Sequence, residues 1–366
     1  MKIAILADPI DNQIAGVHSY TKGLVDALIR YDNSNEYIVI SEKKDPALSN
    51  KVRQIAIPNN RFLLLFAALR MLVIIPFMLR RLRVDAVLEP AHFGPFNLPK
   101  SIRRITVIHD LTPLLFPQYH RWHSRLLQQL FLPRILKKAH LIIAVSKNTA
   151  KDLSQLFPFT PAKTVVIPPG RDPFFQVDHN TAVLEPFQLR APYFLNVGTI
   201  EPRKNLLVLL RAYQNFREQS ADKVLLVIVG SKGWKYQSFF AVLDQHPFKE
   251  DIRILGYVEK RTLPSLYTHA KAFIYPSLYE GFGLPVLEAM ACGASVICSQ
   301  TSSLPEVGGS VARYFAPEED AQLLQHLLAI AQGHFPKEND RTSSIQQAAS
   351  FNWKTAVALF LEVLHK

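Results

Sequence analysis

Residues 276–293 read PSLYEGFGLPVLEAMACG, and this stretch has the clearest local pattern in the chain. A turn made of Gly281, Phe282 and Gly283 follows a β-rich run, and Pro285 suits the first turn of a helix. The free backbone N–H groups at the start of such a helix attract anions, and a diphosphate is a common ligand there. The stretch therefore predicts a strand–turn–helix unit of an α/β domain with an anion-binding edge.

Two acidic residues flank this turn. Glu280 lies in the predicted loop and Glu288 in the first turns of the predicted helix, with seven residues between them. Carboxylates placed in one pocket can accept hydrogen bonds from the vicinal hydroxyls of a sugar or a ribose. A purely structural alternative is that Glu288 interacts with the helix dipole and Glu280 caps a loop. Taken alone, either residue fits that structural alternative.

Outward from this stretch, short β-rich runs alternate with helical runs, which predicts parallel α/β architecture. A helix is predicted at Gly16–Tyr31, and Pro and turn residues after Pro168-Pro169-Gly170 indicate a linker. The G-x-G-x-x-G fingerprint of dinucleotide-binding folds is absent, which disfavours a dehydrogenase. The predicted strands are Lys2–Ala7, Asp85–Glu89, Ile105–His109, Leu141–Ser146 and Val165–Pro168, then Tyr193–Val197, Lys223–Val229, Ile252–Leu255, Ala272–Tyr275 and Ser295–Cys298.

Two such series in 366 residues predict two doubly wound domains with a cleft between them. We expect an N-terminal domain at 1–172, a linker at 173–190 and a C-terminal domain at 191–350. Cys292 and Cys298 are too few for a disulfide scaffold, and no Cys/His cluster has zinc-ligand spacing. The apolar run after Met1 is too short for a signal peptide, so we expect a cytoplasmic protein.

The net charge of +12 is unevenly distributed. Residues 1–180 contain 24 Lys and Arg against 13 Asp and Glu, whereas residues 181–366 contain 18 against 17. A basic domain can attract nucleic acid, anionic lipid or an anionic substrate, and charge alone does not choose among them.

Residues 61–83, RFLLLFAALRMLVIIPFMLRRLR, combine five arginines with a long apolar run and no acidic residue. Arg70 and Pro76 make a membrane-spanning helix unfavourable. Two interpretations stay open: a helix lying in the interface of an anionic membrane, and a core helix packed on a sheet. The segment has no nucleic-acid-binding motif, so we expect no nucleic-acid partner. The cluster Arg80, Arg81 and Arg83 is expected to contribute most to membrane binding.

The motif EGFGLPVLEAMACG resembles the two-glutamate motif of the retaining nucleotide-sugar glycosyltransferases of family 4. Further resemblance comes from GTIEPRKN at 198–205, from SSLPEV at 302–307, from the Gly16 loop and from His109-Asp110, and it covers nearly the whole chain. These motifs are most similar to those of bacterial mannosyltransferase-like members that build surface polysaccharides, including lipopolysaccharide. The resemblance implies the GT-B fold, with an N-terminal acceptor domain and a C-terminal donor domain. It also implies that a terminal helix at 351–366 packs back on the N-terminal domain.

The resemblance also implies site residues. Glu280 and His109 would act at the transferred sugar, and Lys204 with Arg203 would bind the diphosphate. The family's usual Gly-Arg pair is absent, since Thr199 stands at the corresponding position and the arginine lies next to the lysine. The remaining donor-binding residues would be Gly16, Gly256, Tyr257, Val258, Gly281, Phe282, Gly283, Leu284, Glu288 and Leu304.

From the resemblance we expect retention of configuration without a metal, and the chain has no Asp-x-Asp motif. No cofactor is expected, because the nucleotide-sugar is a substrate, and a GDP-sugar is favoured over a UDP-sugar or an ADP-sugar. The expected partners are a lipid-linked or glycan acceptor and the inner face of the bacterial plasma membrane, bound peripherally. Two alternatives remain: a nucleotide-sugar epimerase of related fold, and a non-catalytic nucleotide-sugar-binding protein at the membrane.

Overall fold

A computed structural model describes residues 1–12, 15–48, 50–59, 64–95, 97–120, 122–189, 192–333 and 337–365. The chain divides into two units, Met1–Gly170 together with Asn352–Lys366, and Arg171–Phe351. Residues 173–190, predicted as a linker, lie in the second unit, where Phe175 and Leu184 are buried.

The first unit is built on a parallel sheet of seven strands in the order β3-β2-β1-β4-β5-β6-β7. The strands are β1 Lys2–Leu6, β2 Glu36–Ser41, β3 Arg53–Ala56, β4 Ala86–Glu89, β5 Arg103–Ile108, β6 Leu141–Ala144 and β7 Thr164–Val166. The helices are α1 Asp8–Asn12, α2 Ala15–Tyr31, α3 Leu64–Leu69, α4 Ile75–Arg81, α5 Thr112–Leu115, α6 Trp122–Lys138 and α7 Lys147–Leu156.

The second unit is built on a parallel sheet of six strands in the order β10-β9-β8-β11-β12-β13. The strands are β8 Tyr193–Val197, β9 Leu225–Val229, β10 Ile252–Gly256, β11 Ala272–Tyr275, β12 Val296–Ser299 and β13 Arg313–Phe315. The helices are α8 Leu206–Gln219, α9 Gln237–Asp244, α10 Leu263–His269, α11 Leu284–Ala291, α12 Leu304–Gly308, α13 Asp320–Ala331 and α14 Lys337–Ser350. The terminal helix α15, Trp353–Leu364, packs on α2 of the first unit.

This architecture confirms the predicted α/β class with two doubly wound, Rossmann-like units. Each predicted strand is present, with its ends shifted by at most two residues, and β2, β3 and β13 are additional. Gly16 was expected in a turn between the first strand and its helix, but it lies in the first turn of α2 after the short helix α1.

The helix predicted within residues 61–83 is present from Leu64 onward, and residues 61–63 lie outside the described part of the chain. One wide π-helical turn, Arg70–Ile74, joins α3 to α4. Pro76 cannot donate a backbone hydrogen bond, and the Leu72 carbonyl four residues earlier accepts one from Asn97 Nδ2 at 2.5 Å instead. Among the described residues, no helix combines the length and the apolar character needed to cross a membrane.

Arg70 does not reach toward solvent or lipid. Its guanidinium is buried and makes two hydrogen bonds to the Asp8 carboxylate, at 2.7 and 2.6 Å, and one to the Ile57 carbonyl at 2.8 Å. This pairing attaches the middle of the helical segment to the start of α1, just after β1. Ile75 and Leu79 extend the same contact, because they pack on Ala4, Leu6 and the neighbouring strands.

Candidate functional site

Glu280, Arg203 and Lys204 meet in the second unit. Arg203 and Lys204 lie in a 3-10 turn after β8, and Glu280 follows β11, so all three come from the carboxyl ends of adjacent strands. Lys204 Nζ is 2.5 Å from Glu280 Oε1, and an Arg203 guanidinium nitrogen is 3.0 Å from Glu280 Oε2. The arrangement holds one carboxylate between two cations.

The charge state of Glu280 follows from this environment. Burial alone would raise the pKa of its carboxyl, but Arg203 and Lys204 outweigh that effect and lower the pKa to about 2. Burial also lowers the pKa of Lys204, an effect that Glu280 opposes. Glu280 is therefore a carboxylate at every physiological pH, and it is a weak base.

Two residues that the sequence analysis did not single out complete this cluster. The Tyr275 hydroxyl accepts a hydrogen bond from Lys204 Nζ at 2.6 Å and donates one to Glu280 at 3.0 Å. Glu201 accepts one from Arg203 at 2.7 Å. Both had a signal in the sequence, since Tyr275 ends a predicted strand and Glu201 lies within the GTIEPRKN motif.

Residues at the start of α12 hold the Glu280 loop in place. Ser302 Oγ accepts a hydrogen bond from the Glu280 N–H at 2.9 Å. The Ser303 hydroxyl lies within hydrogen-bonding distance of the Glu280 and Phe282 carbonyls, at 2.9 and 2.8 Å. Leu304 is buried, and a Cβ at Gly283, where φ is 106°, would lie 2.8 Å from its side chain.

The predicted residues of this loop therefore lie together. Gly281, Phe282 and Gly283 are buried, and Leu284 begins α11. Phe282 packs edge-to-face against Phe351. Positive φ at Gly283 is a backbone conformation that glycine adopts at little cost.

Glu288 lies in a different environment, on α11. Its half-buried carboxyl accepts a hydrogen bond from the Tyr267 hydroxyl at 3.3 Å. Desolvation by burial raises the pKa of Glu288 to about 8, against the smaller lowering effects of Tyr267 and Lys260. At neutral pH this group is mostly protonated, so it can donate one hydrogen bond as well as accept others.

Three glycines lie at the carboxyl ends of adjacent strands and bring their backbones close together. The Gly198 N–H donates to the Val229 carbonyl at 2.8 Å, and the Gly230 N–H donates to the Gly256 carbonyl at 2.8 Å. A Cβ at Gly230 would lie 1.9 Å from the Gly198 oxygen, so no other residue fits there. Gly256 has φ of 68° and open space above it. Next to it, Tyr257 is 77% exposed and Val258 is buried.

His109 belongs to the first unit, immediately after β5. Its Nε2 lies 2.6 Å from the Pro90 carbonyl, which can only accept, so the proton is on Nε2. Its backbone N–H donates to His92 Nε2 at 2.6 Å, and the Tyr20 ring packs edge-on at 4.7 Å. Burial and then the neighbouring His92 lower the pKa of His109 to about 4, so the imidazole is neutral. Gly16 is exposed on α2 of the same unit.

The other predicted site features concern metal and thiol chemistry. Across the described ranges, no group of three or more His, Cys, Asp or Glu side chains could hold a metal ion. Cys292 and Cys298 are buried, and burial raises the pKa of both thiols, so they are core residues of the second unit.

Comparisons with known families give two matches. The model of the "Glycosyltransferase Family 4" domain matches residues 14–174, and the model "Glycosyl transferases group 1" matches residues 185–333. The chain is 32% identical to the O-antigen chain mannosyltransferase B of Escherichia coli, over 97% of each chain. It is 26% identical to the serotype-specific mannosyltransferase WbdA of Escherichia coli, over 71% of this chain, and it covers 33% of that protein.

Solved structures show the same fold. Anabaena HepE in complex with UDP-glucose aligns over 100% of this chain and 99% of its own, with a TM-score of 0.77 and 16% identity. The sucrose-phosphate synthase of Thermosynechococcus elongatus aligns over 100% and 98%, with a TM-score of 0.75 and 20% identity.

Proposed function

The chain belongs to family 4 of the glycosyltransferases and has their GT-B fold, and from this we propose that it is a retaining hexosyltransferase. The proposed donor is GDP-mannose, and the proposed acceptor is a lipid-linked or polysaccharide glycan of bacterial surface polysaccharide synthesis. Support for mannose comes from the mannosyltransferase relative that matches 97% of the chain. The observation that carries the proposal is the buried cluster of Glu280, Arg203 and Lys204.

We assign the donor diphosphate to Lys204 and Arg203. Both cations pair with Glu280, and Arg203 also pairs with Glu201, but a diphosphate brings enough negative charge to share both cations with these carboxylates. Negative charge on the diphosphate grows as the sugar leaves, so cations held here stabilise the transition state more than the bound donor. The backbone of the 281–284 turn would approach the same phosphates.

We assign the nucleoside to the open space above Gly256, where backbone groups can read a base edge and Tyr257 can cover it. Glu288 is the proposed partner of the ribose hydroxyls. Its neutral carboxyl offers both a donor and an acceptor, which matches a vicinal diol.

The electrostatics of Glu280 favour a front-face reaction over a covalent one. A carboxylate with a pKa of about 2, held by two cations, is a weak nucleophile, so we propose that it orients the sugar hydroxyls. The leaving diphosphate would then assist deprotonation of the acceptor, without a metal. His109 is neutral, and we propose that it hydrogen-bonds the transferred sugar.

A nucleotide panel followed by a transfer assay tests the proposal. Calorimetry with GDP, UDP and ADP is expected to show the tightest binding for GDP. Incubation with GDP-mannose and a bacterial lipid extract should then release GDP and label the lipid fraction. An epimerase would convert the nucleotide-sugar without releasing GDP, and a binding protein would leave it unchanged.

We further propose that the protein acts at the inner face of the plasma membrane, bound peripherally. A lipid-linked acceptor is met there, and the exposed arginines Arg80, Arg81 and Arg83 can contact anionic lipid. Each arginine near the surface would add about 1 kcal/mol, weakened by salt.

A further inference from the structure

We propose that the first unit docks on anionic membranes through the helical segment that runs from α3 to α4 and through the helix α6, which together form one apolar and cationic face. This inference extends the proposed membrane location, because α6 lies outside residues 61–83. The bound partner is a bilayer surface that contains anionic lipid.

The first part of this face is the continuous segment of α3, the π-helical turn and α4, and it has apolar side chains on two sides. One side packs on the sheet through Ile75 and Leu79. The other side exposes Leu69, Val73 and Phe77, with 65% of Phe77 accessible. Exposed apolar side chains of this size at one-turn spacing match the lipid-facing side of an interfacial helix.

The second helix has the same organisation. Leu132 and Leu136 of α6 pack into the core, whereas Leu126, Leu127 and Leu130 are exposed. Arg125 and Arg134 are exposed on the same helix, and α6 has no acidic residue.

Strand register shows that both helices cover one face of the sheet. Ala4 pairs with Val87, Val87 with Arg104, and Thr106 with Ile142, so these side chains point to one side. The helix α4 packs on Ala4 and Val87, and α6 packs on Ile142. Their strands are neighbours in the order β1-β4-β5-β6. The helices α2 and α15 pack on each other, apart from these two core clusters.

The charges on these helices favour an anionic bilayer as the partner. Among α3, α4, α6 and α7, the one acidic residue is Asp152, which is buried and bonded to Asn148. By contrast, α2 and α15 carry both signs, with Lys22, Arg30 and Lys354 against Asp26 and Glu362. A face that joins exposed leucines with cations and lacks exposed carboxylates complements an anionic lipid surface. The exposed cations of these helices include Arg80, Arg81, Arg125, Arg134, Lys137 and Lys151.

Sedimentation of the full chain with vesicles tests the proposal. Vesicles containing phosphatidylglycerol should bind the protein at low salt, and pure phosphatidylcholine vesicles should bind it much less. Leu127→Ser with Leu130→Ser on α6 should lower the partition coefficient roughly tenfold, and Val73→Ser in the π-helical turn with Phe77→Ser on α4 should do the same. Tyr31→Ser, an exposed aromatic at the end of α2, is the matched control and should bind like the wild type.

Wild-type binding by the α6 double variant would overturn the proposal, as would equal binding to both kinds of vesicle. Loss of a solution dimer in either double variant, seen by light scattering without vesicles, would assign the face to self-association and overturn it as well. Circular dichroism and GDP calorimetry establish that each variant is folded. If vesicle binding holds while no sugar is transferred, the proposed glycosyl transfer fails and the docking face stands.

Discussion

The two glutamates of the 276–293 stretch differ in charge because they face different neighbours. Glu280 lies between Arg203 and Lys204 and stays ionised, whereas Glu288 is desolvated beside Tyr267 and is mostly protonated at neutral pH. A shared sequence motif thus gives one fixed anion and one neutral hydrogen-bonding group. This difference leads to separate predictions for the two residues.

Removal of either cation should weaken nucleotide binding. Lys204→Ala and Arg203→Ala are each expected to reduce affinity for the preferred nucleoside diphosphate by about 1.5–3 kcal/mol, because each deletes a charge-assisted contact. Isothermal titration calorimetry measures this. Arg211→Ala, an exposed arginine on α8, is the control and should bind normally. Unchanged affinity in both site variants would refute the diphosphate assignment.

Glu280→Gln should separate turnover from binding. The variant removes a negative charge that Lys204 and Arg203 share, so nucleotide affinity is expected to persist or increase, while kcat falls about 10²–10³-fold. Steady-state kinetics of GDP release give both parameters. Glu201→Gln makes the same chemical change at a residue that contacts Arg203, and a smaller effect is expected. Equal losses in the two variants would contradict a special role for Glu280.

Because of Glu288, the free energy of unfolding should decrease as the pH rises. Its pKa of about 8 in the folded protein exceeds the value of about 4.3 for an unfolded chain, so the folded state binds more protons between these values. The contribution is therefore favourable below about pH 4.3 and is lost progressively up to about pH 8. Urea unfolding across this range should show the decline, and Glu288→Gln should remove it. Parallel profiles for the variant and for the wild type would refute this account, and the exposed Glu259→Gln serves as control.

Among the elements, the segment of α3, the π-helical turn and α4 shows what a sequence pattern can and cannot give. Its helical character and apolar content are visible in the sequence, and its packing on the sheet is confirmed for one side. The other side is exposed, and its contact with a membrane stays a prediction. The partner of Arg70 is not visible, because Asp8 lies 62 residues earlier and only the fold brings them together.

Arg70→Ala should destabilise the first unit by about 3–5 kcal/mol, since it removes a largely buried ion pair with two hydrogen bonds to the Asp8 carboxylate. Chemical denaturation monitored by circular dichroism measures the free energy of unfolding. Arg80→Ala, an exposed arginine of α4, is the control and should change it by less than about 0.5 kcal/mol. A small effect for Arg70→Ala would show that its ion pair is not needed to hold the segment.

The edge strands that the sequence analysis missed have a physical explanation. Both β3 and β13 are edge strands with few apolar residues, RQIA and RYF, whereas the equally short strands β6 and β7 have the apolar runs LIIA and TVV that made them visible in the sequence. The strand β2 has a clear apolar run after the predicted end of the helix at Tyr31, so its pattern was visible in the sequence. The additional cluster residues Tyr275 and Glu201 depend on side-chain contacts between strand ends, which alternation does not reveal.

On the scale of the whole molecule, sequence patterns sufficed for the α/β class, the two doubly wound units and the family. The motifs also located the loops that bear the candidate site, because strand ends and glycine turns have local signatures. Local sequence patterns could not predict which face of the first sheet carries the excess positive charge. That depends on which helices cover each face, and only the fold shows it.

Transfer of labelled mannose from GDP-mannose to a bacterial lipid extract tests the central claim most directly. The account predicts labelled lipid and an equal amount of GDP with the wild-type protein, and strongly reduced yields of both with Glu280→Gln and Lys204→Ala. No transfer from GDP-, UDP- or ADP-sugars by folded protein, or equal transfer by the wild type and both variants, would contradict it.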